Sequence, residues 1–293
     1  MDKRPKVLFI GVFDSAGRST NNSQIIALRE MGCNVSGYNY REKAIYMGAH
    51  ARDQHLIDVV ITHKFDLVIY SKCNEVSLET FKKINELTTT CLWYMDPLVS
   101  YTEEMRTKTT LVDYFCCDKN NVHEAALSLN SNSFHVCEGF DQAVDKPHNI
   151  EKQYQVSFIG NTYGDRREIL EQLKTPVVIL SGVYGTQHAK EVSKTKINLN
   201  FCTSNGASDR VYKVLAARGF LLTNDWIGRE EMFRNREDLV IFKDIRDLNE
   251  KVVHYLKNFD EAQRIAANGY QTVQKYTRLK WAEKIVEIYE QFK

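Results

Sequence analysis

The chain has 293 residues, of which 43% are hydrophobic and 26% charged, with a formal net charge of +1. That length exceeds what one hydrophobic core usually serves and suits two domains, while the balanced charge excludes a global field that would gather nucleic acid or an anionic membrane. No apolar run approaches the roughly 20 residues of a membrane span, and Met1-Asp-Lys-Arg-Pro-Lys6 leads into an apolar strand with no signal-peptide core. The expected location is the cytoplasm, without stable membrane insertion. In chain order, residues 7–13 read as a buried strand, followed by a polar loop and a helix over 22–31. A second strand spans 34–40, a helical stretch covers 56–62, and short strands follow at 66–71, 91–94, 114–117 and 134–137. Strands alternating with helix-length segments predict a parallel sheet covered on both faces.

Residues 141–153, with Pro147 and few apolar side chains, read as a linker. The theme then repeats, with strands near 155–159, 177–180, 197–201, 220–223 and 239–242. Three amphipathic helices close the chain, at about 247–257, 260–275 and 278–292. The expected fold class is therefore α/β, with two Rossmann-like domains, and such sheets bind ligands beyond the C-terminal ends of their strands. Residues 1–147 carry 16 basic and 19 acidic side chains, whereas the remainder carries 23 and 19. The modest positive excess thus lies in the second half.

Seven cysteines, at 33, 73, 91, 116, 117, 137 and 202, form no C-x-x-C pair. Their odd number and the length of the chain favour reduced, partly buried thiols. The eight histidines show no paired zinc spacing, and no Asp-x-Asp occurs. No cofactor and no metal are expected.

Most of the chemistry lies in Ser208-Asp-Arg-Val-Tyr-Lys-Val-Leu-Ala-Ala-Arg-Gly-Phe-Leu-Leu222. Ser208 reads as an N-cap whose hydroxyl accepts from a first-turn amide, and Val211, Val214 and Leu215 mark one apolar helix face. Gly219 suits a left-handed helix end, and Phe220-Leu-Leu222 continues as a buried strand. Arg210 and Lys213 near free first-turn amides combine positive charge with donors, an arrangement that suits phosphate. A second block, Val156-Ser-Phe-Ile-Gly-Asn-Thr-Tyr-Gly-Asp-Arg166, reads as strand, glycine turn and helix start. There Gly160 and Asn161 permit close backbone approach, and Arg166 offers a planar fork for phosphate oxygens. After the first strand, Gly11-Val-Phe-Asp-Ser15 opens a loop without G-x-G-x-x-G or a Walker lysine. Asp14 and Ser15 there are either ligand-facing or caps of local amides. Asp96 precedes Pro97 at the end of the 91–94 strand, where it is either a functional carboxylate or a turn starter.

These blocks resemble the donor site of CgeB-like (spore-maturation type) group 1 glycosyltransferases of the GT-B fold. The family pattern Arg-x-x-Glu-x-x-Ala-x-Gly, followed by an apolar strand, is matched here by Arg210, Ala216 or Ala217, Gly219 and Phe220-Leu-Leu222. Gly228-Arg-Glu-Glu-Met-Phe233 and Phe242-Lys-Asp244 also fit, with weaker similarity at Asp66-Leu-Val-Ile-Tyr-Ser-Lys72 and Leu92-Trp-Tyr-Met-Asp-Pro97. The chain departs from the family at Lys213, where a glutamate that holds the ribose hydroxyls is expected; lysine donates and cannot accept.

The resemblance implies two Rossmann-like domains facing across a cleft. Residues 1–147 form the acceptor domain, 148–277 the donor domain, and 278–293 a helix returning to the first domain. It implies transfer of a hexosyl or pentosyl group from a nucleotide-diphosphate sugar to a hydroxyl acceptor, and the absence of Asp-x-Asp points to metal-independent transfer. That acceptor is a glycan, a protein or a modified DNA base such as a phage hydroxymethyl-pyrimidine. Gly160, Asn161, Arg166, Tyr184, Ser208, Arg210 and Lys213 would bind the donor, with Tyr184 stacking on the base. Gly11, Asp14 and Ser15 would form the acceptor-side loop, and Asp14, Asp96 and Arg210 are the catalytic candidates. A nucleotide-sugar epimerase and a non-catalytic nucleotide-sugar-binding protein are the alternatives.

Overall fold

The computed structural model describes residues 4–14 and 19–293. The chain divides into two compact units, one formed by residues 1–138 together with 278–293 and the other by Gly139–Thr277.

The first unit runs β1 (Lys6–Gly11), α1 (Asn21–Glu30), β2 (Asn34–Asn39), α2 (Tyr40–Met47), α3 (Ala49–His63), β3 (Leu67–Ser71), α4 (Leu78–Asn85), β4 (Thr89–Tyr94), α5 (Glu103–Leu111), β5 (Tyr114–Cys117), α6 (Asn120–Leu127) and β6 (Ser133–His135). Its six strands lie in the order β2-β1-β3-β4-β5-β6, all parallel. Because side chains alternate across a strand, each apolar run supplies two cores. Leu8, Ile10, Val68, Tyr70, Leu92 and Tyr94 enter one, together with Leu56, Phe81 and Met105 from α3, α4 and α5. Val7, Phe9, Leu67, Ile69, Cys91 and Trp93 enter the other, with Ile25 and Leu28 of α1.

That second core is closed by the last helix of the chain. The second unit supplies β7 (Tyr154–Ile159), α7 (Arg166–Glu171), β8 (Val178–Leu180), α8 (Gly185–Lys194), β9 (Thr195–Asn200), α9 (Asp209–Ala216), β10 (Leu221–Asn224), α10 (Arg229–Met232), β11 (Val240–Phe242), α11 (Ile245–Lys257) and α12 (Phe259–Val273), and then α13 (Arg278–Tyr289) returns to the first unit. Trp281, Ala282, Ile285, Val286, Ile288 and Tyr289 of α13 are buried in that core. Trp281 meets Trp93 edge-on at 5.5 Å, and Phe292 stacks on Tyr114 at 4.8 Å. At the head of the helix, Arg278 donates to the Glu138 carbonyl and lies 3.5 Å from its carboxylate. Both side chains are almost fully buried, so neither charge is left uncompensated.

The second unit's strands are also all parallel, in the order β11-β10-β9-β7-β8. Val156, Phe158, Ile197, Leu199 and Leu222 pack against Leu248, Val252, Tyr255 and Ile265 of α11 and α12. The α/β class, the paired parallel sheets and the returning helix agree with expectation. The division falls after Glu138 instead of after Pro147. The segment read as a linker is tied into the second unit: Phe140 N donates to Tyr276 O, Asp145 accepts from Asp141 N, and Gln153 N donates to Lys194 O. Scarcity of apolar residues marked an irregular segment there, and backbone hydrogen bonds hold it in place. Among the described residues no helix is long and apolar enough to cross a membrane.

Candidate functional site

In each sheet the strand order reverses at one point, and there the loops diverge to leave room for a ligand. In the second unit that point lies between β7 and β9. Gly160 follows β7, the loop from Phe201 to Ser208 follows β9, and α9 begins where that loop ends. Valine, tyrosine and leucine at 211, 212, 214 and 215 bury one face of α9, which leaves Asp209, Arg210 and Lys213 half-buried on the other.

Arg210 is the centre of this arrangement. Its Nη1 donates to Asn200 Oδ1 at 2.8 Å, and its guanidinium lies 4.9 Å from the Phe158 ring centroid. Gly160 has φ +153°, and a Cβ there would stand 2.3 Å from Arg210 Nη2. Any side chain at 160 would therefore displace the guanidinium. Burial lowers the Arg210 pKa from its ordinary value, Asp209 opposes this and Arg166 adds to it, yet an arginine stays charged at neutral pH.

Asn200, fully buried at the end of β9, joins the neighbouring elements. Its Oδ1 accepts from Arg210 and, at 2.9 Å, from Ser208 Oγ; its Nδ2 donates to Thr223 Oγ1 at 3.0 Å and to Cys202 Sγ at 3.3 Å. Ser208 occupies the N-cap position as expected, but its hydroxyl makes no cap bond, because Asn200 takes its proton. The first turn of α9 is thus left without a side-chain cap, and Val211 N donates to the Ser208 carbonyl at 3.0 Å.

The other candidates have varied surroundings. Arg166 is only 5% exposed, and its donors are engaged by Asn161 O, Phe201 O and Thr203 Oγ1. It clamps the two loops of the reversal point instead of presenting an open fork. Asn161 is exposed and contributes its carbonyl to that clamp. Tyr184 is 38% exposed at the N-cap position of α8. Lys213 Nζ lies 2.6 Å from Asp209 Oδ2, so its charge is balanced one turn away on the same helix. An anion between Arg210 and Lys213 is not needed to relieve their repulsion. Gly219 is not the left-handed residue ending α9: Arg218 is, at φ +56°. Gly219 instead allows close packing, since a Cβ there would fall 2.5 Å from Val192 Cγ1.

In the first unit the order reverses between β1 and β3. Gly11 ends β1, and Asn21 at the start of α1 donates to Val12 O and accepts from Ser71 Oγ at the end of β3. Asp14 Oδ2 accepts from Ser19 N at 2.8 Å, the local capping that was the plainer of its two readings. Ser15 lies outside the described residues. Asp96 is half-buried after β4, and Lys72 Nζ donates to its Oδ1 at 3.1 Å. Lys72 and Cys73 have φ of +62° and +56°, an unusual pair of left-handed residues without glycine. This turn directs the Lys72 ammonium toward Asp96.

A family model described as glycosyl transferase-like matches residues 141–287, half of the chain. The chain belongs to that family. No curated protein matches it. Among solved structures it is similar to the Anabaena protein HepE in complex with UDP-glucose, with 11% identity, 98% of this chain and 100% of that one covered, and a TM-score of 0.72. Sucrose-phosphate synthase from Thermosynechococcus elongatus gives 11% identity, 99% coverage of each chain and a TM-score of 0.72. The lipopolysaccharide outer core galactosyltransferase WaaB, in its apo form, gives 10% identity, 98% and 100% coverage, and 0.65. The fold is therefore GT-B.

Within this family member, several residues that matter to the site's geometry escape a reading of sequence. Asn200 left a trace, because an asparagine inside a buried parallel strand interrupts an expected apolar run. Lys72, Asn21 and Asp209 carry no such mark. His188 reads in sequence as a surface histidine, with a place near the base pocket as the alternative; it is buried in α8.

Proposed function

We propose that this protein is a CgeB-like glycosyltransferase that moves a sugar from a nucleoside-diphosphate donor to a hydroxyl acceptor without a metal ion. The observation that carries the proposal is Arg210, held by Asn200 at the strand-order reversal beside the uncapped start of α9. As the bond between the anomeric carbon and the leaving phosphate oxygen breaks, negative charge collects on the diphosphate. A fixed guanidinium and helix amides stabilise that charge, and they do so most where water is excluded. The lack of any Asp-x-Asp in the sequence supports this division of labour.

The acceptor oxygen forms the new bond to the anomeric carbon and gives up its proton. Asp96 is the better candidate to receive it, because Asp14 is spent on the Ser19 amide. Lys72 Nζ, 3.1 Å from Asp96 Oδ1, orients the carboxylate while leaving it partly exposed. The acceptor itself is a glycan, a protein or a modified DNA base. The net acidic character of residues 1–147 disfavours DNA, which requires a basic surface.

HepE was solved with UDP-glucose, so UDP-glucose is the first donor to test. Calorimetry with and without EDTA, followed by product analysis with supplied glycan acceptors, decides the matter. Donor binding unaffected by EDTA together with a new glycosidic bond is the expected result. Binding without turnover of any acceptor would favour a non-catalytic binding protein, and epimerised donor without acceptor would favour an epimerase.

A further inference from the structure

Three successive carbonyls after β3 draw two buried cations. Lys108 Nζ donates to Cys73 O at 3.0 Å and to Asn74 O at 2.9 Å, and Arg52 Nη2 donates to Glu75 O at 2.5 Å. The turn they grip is the one in which Lys72 and Cys73 both adopt left-handed backbone. Residues other than glycine resist that conformation, and it persists only where the surroundings impose it. Here Lys72 N also donates to Trp93 O at 3.0 Å, and the Cys73 thiol to Ile10 O at 3.4 Å. Lys108 has no exposed surface, and Glu104, one turn earlier on α5, balances its charge.

An apolar side chain would fill the space beside Phe81 without the desolvation that a buried ammonium suffers. What the ammonium adds is direction. Lys108 belongs to α5, the helix that follows Asp96 in the chain, and it reaches back to the turn whose Lys72 reaches forward to Asp96 Oδ1. The two segments are thus joined twice, once through an open ion pair and once through a buried clamp. The Lys72 and Asp96 side chains are 35% and 32% exposed. An ion pair open to water is weak by itself, so its geometry depends on the backbone that carries it. We propose that Lys108 is a positioning residue for the transfer step: it holds the left-handed turn and so sets where Lys72 places the Asp96 carboxylate. The inference rests on Asp96 as the group that receives the acceptor's proton, and it adds a buried residue on which that placement depends.

The test is a double-mutant cycle read in turnover. UDP release from UDP-glucose, with water or a supplied glycan as acceptor, is measured on the full chain for wild type, Asp96→Asn, Lys72→Met, Lys108→Met and the variant carrying both methionines. Methionine keeps most of the length of lysine and removes its donors. Asp96→Asn should lower kcat about a hundredfold, as loss of a general base does. Lys72→Met and Lys108→Met should each lower it about tenfold through misplacement of the carboxylate, with UDP affinity by calorimetry unchanged. The double variant should be no slower than Lys72→Met, because a residue that acts through Lys72 has nothing left to act on. Lys108→Arg, which keeps charge and donors, should recover most of kcat. A folded Lys108→Met with wild-type kcat overturns the proposal. So do losses that multiply in the double variant, or UDP affinity that falls together with kcat, since either marks a general structural role. If Lys108→Met does not fold, Lys108→Gln takes its place in the cycle, and failure of both to fold overturns the proposal too. Wild-type turnover by Asp96→Asn would remove Asp96 as the base, and this inference with it, while leaving the donor site standing. A wild type that releases no UDP with either acceptor would instead bring down the proposed function.

Discussion

Replacing Asn200 with alanine should damage both the stability and the ligand affinity of the second unit. Four contacts end at this one amide: Arg210 at 2.8 Å, Ser208 at 2.9 Å, Thr223 at 3.0 Å and Cys202 at 3.3 Å. A hydrogen bond to a charged group contributes about 1.5–3 kcal/mol and a neutral one about 1, with the thiol contact weaker still. Arg210 and Ser208 are half-buried and can recover part of the loss from water, whereas Thr223 is fully buried and cannot. A net cost of about 3 kcal/mol follows, because losses within one network do not simply add. For a unit of this size, that lowers the melting temperature by roughly 10 °C. The released guanidinium should also weaken UDP binding by roughly tenfold or more. Thermal unfolding monitored by circular dichroism, and calorimetry at a temperature where the variant is folded, measure the two effects separately. An Asn200→Ala protein that melts within about 2 °C of wild type and binds UDP equally well would refute this account of how Arg210 is held.

Further outcomes follow from the same geometry. Arg210→Ala should lower donor turnover at least tenfold with the fold intact, since losing one transition-state donor costs about 2.7–4 kcal/mol; unchanged kinetics would place the diphosphate elsewhere. Gly160→Ala should weaken UDP binding by displacing Arg210 Nη2, and tight binding by this variant would show that the guanidinium need not stay where it is. Lys213→Glu sets a second carboxylate one turn from Asp209 and should weaken donor binding, so equal or tighter binding would mean that the ammonium has no part in the site. His188 has its folded pKa depressed from 6.5 to about 3, so the unfolded chain binds more protons between those values. Its contribution to stability is complete above pH 6.5 and declines as pH falls toward about 3. His188→Phe should flatten that acid limb in pH-dependent melting, and an unaltered limb would contradict the burial of a neutral ring.

Much of the fold is legible in the sequence because parallel strands buried on both faces read as apolar runs. Segments such as 7–13 and 66–71 match β1 and β3 closely. The last helix is legible for a related reason: Trp281, Ile285, Ile288, Tyr289 and Phe292 make a face that must be covered. Side-chain direction is less legible. Arg166 and Arg210 both open helices after glycine-containing turns, yet one clamps carbonyls and the other stands beside uncapped amides. What separates them is the tertiary placement of Phe201 and Asn200, which periodicity does not encode. The burial of His188 is hidden likewise, because α8 packs on elements distant in sequence, α9 among them, and nothing local announces that packing. Lys72 escapes notice since a left-handed conformation is expected of glycine or asparagine, and neither stands at 72 or 73.

The interruption of the first unit by residues 139–277 has a consequence for synthesis. A nascent chain emerges from its N-terminus, so β1 to β6 are made long before the helix that completes their second core. Until α13 appears, Val7, Phe9, Cys91 and Trp93 lack the cover of Trp281 and Ile285. The second unit, by contrast, is contiguous and has all of its residues once Thr277 has been made. The order of maturation is thus the reverse of the order of synthesis: the later unit can finish first, while the earlier one waits as an incomplete, aggregation-prone intermediate. Stop codons that remove only α13 should therefore affect yield and solubility far more than the loss of a short terminal segment ordinarily would.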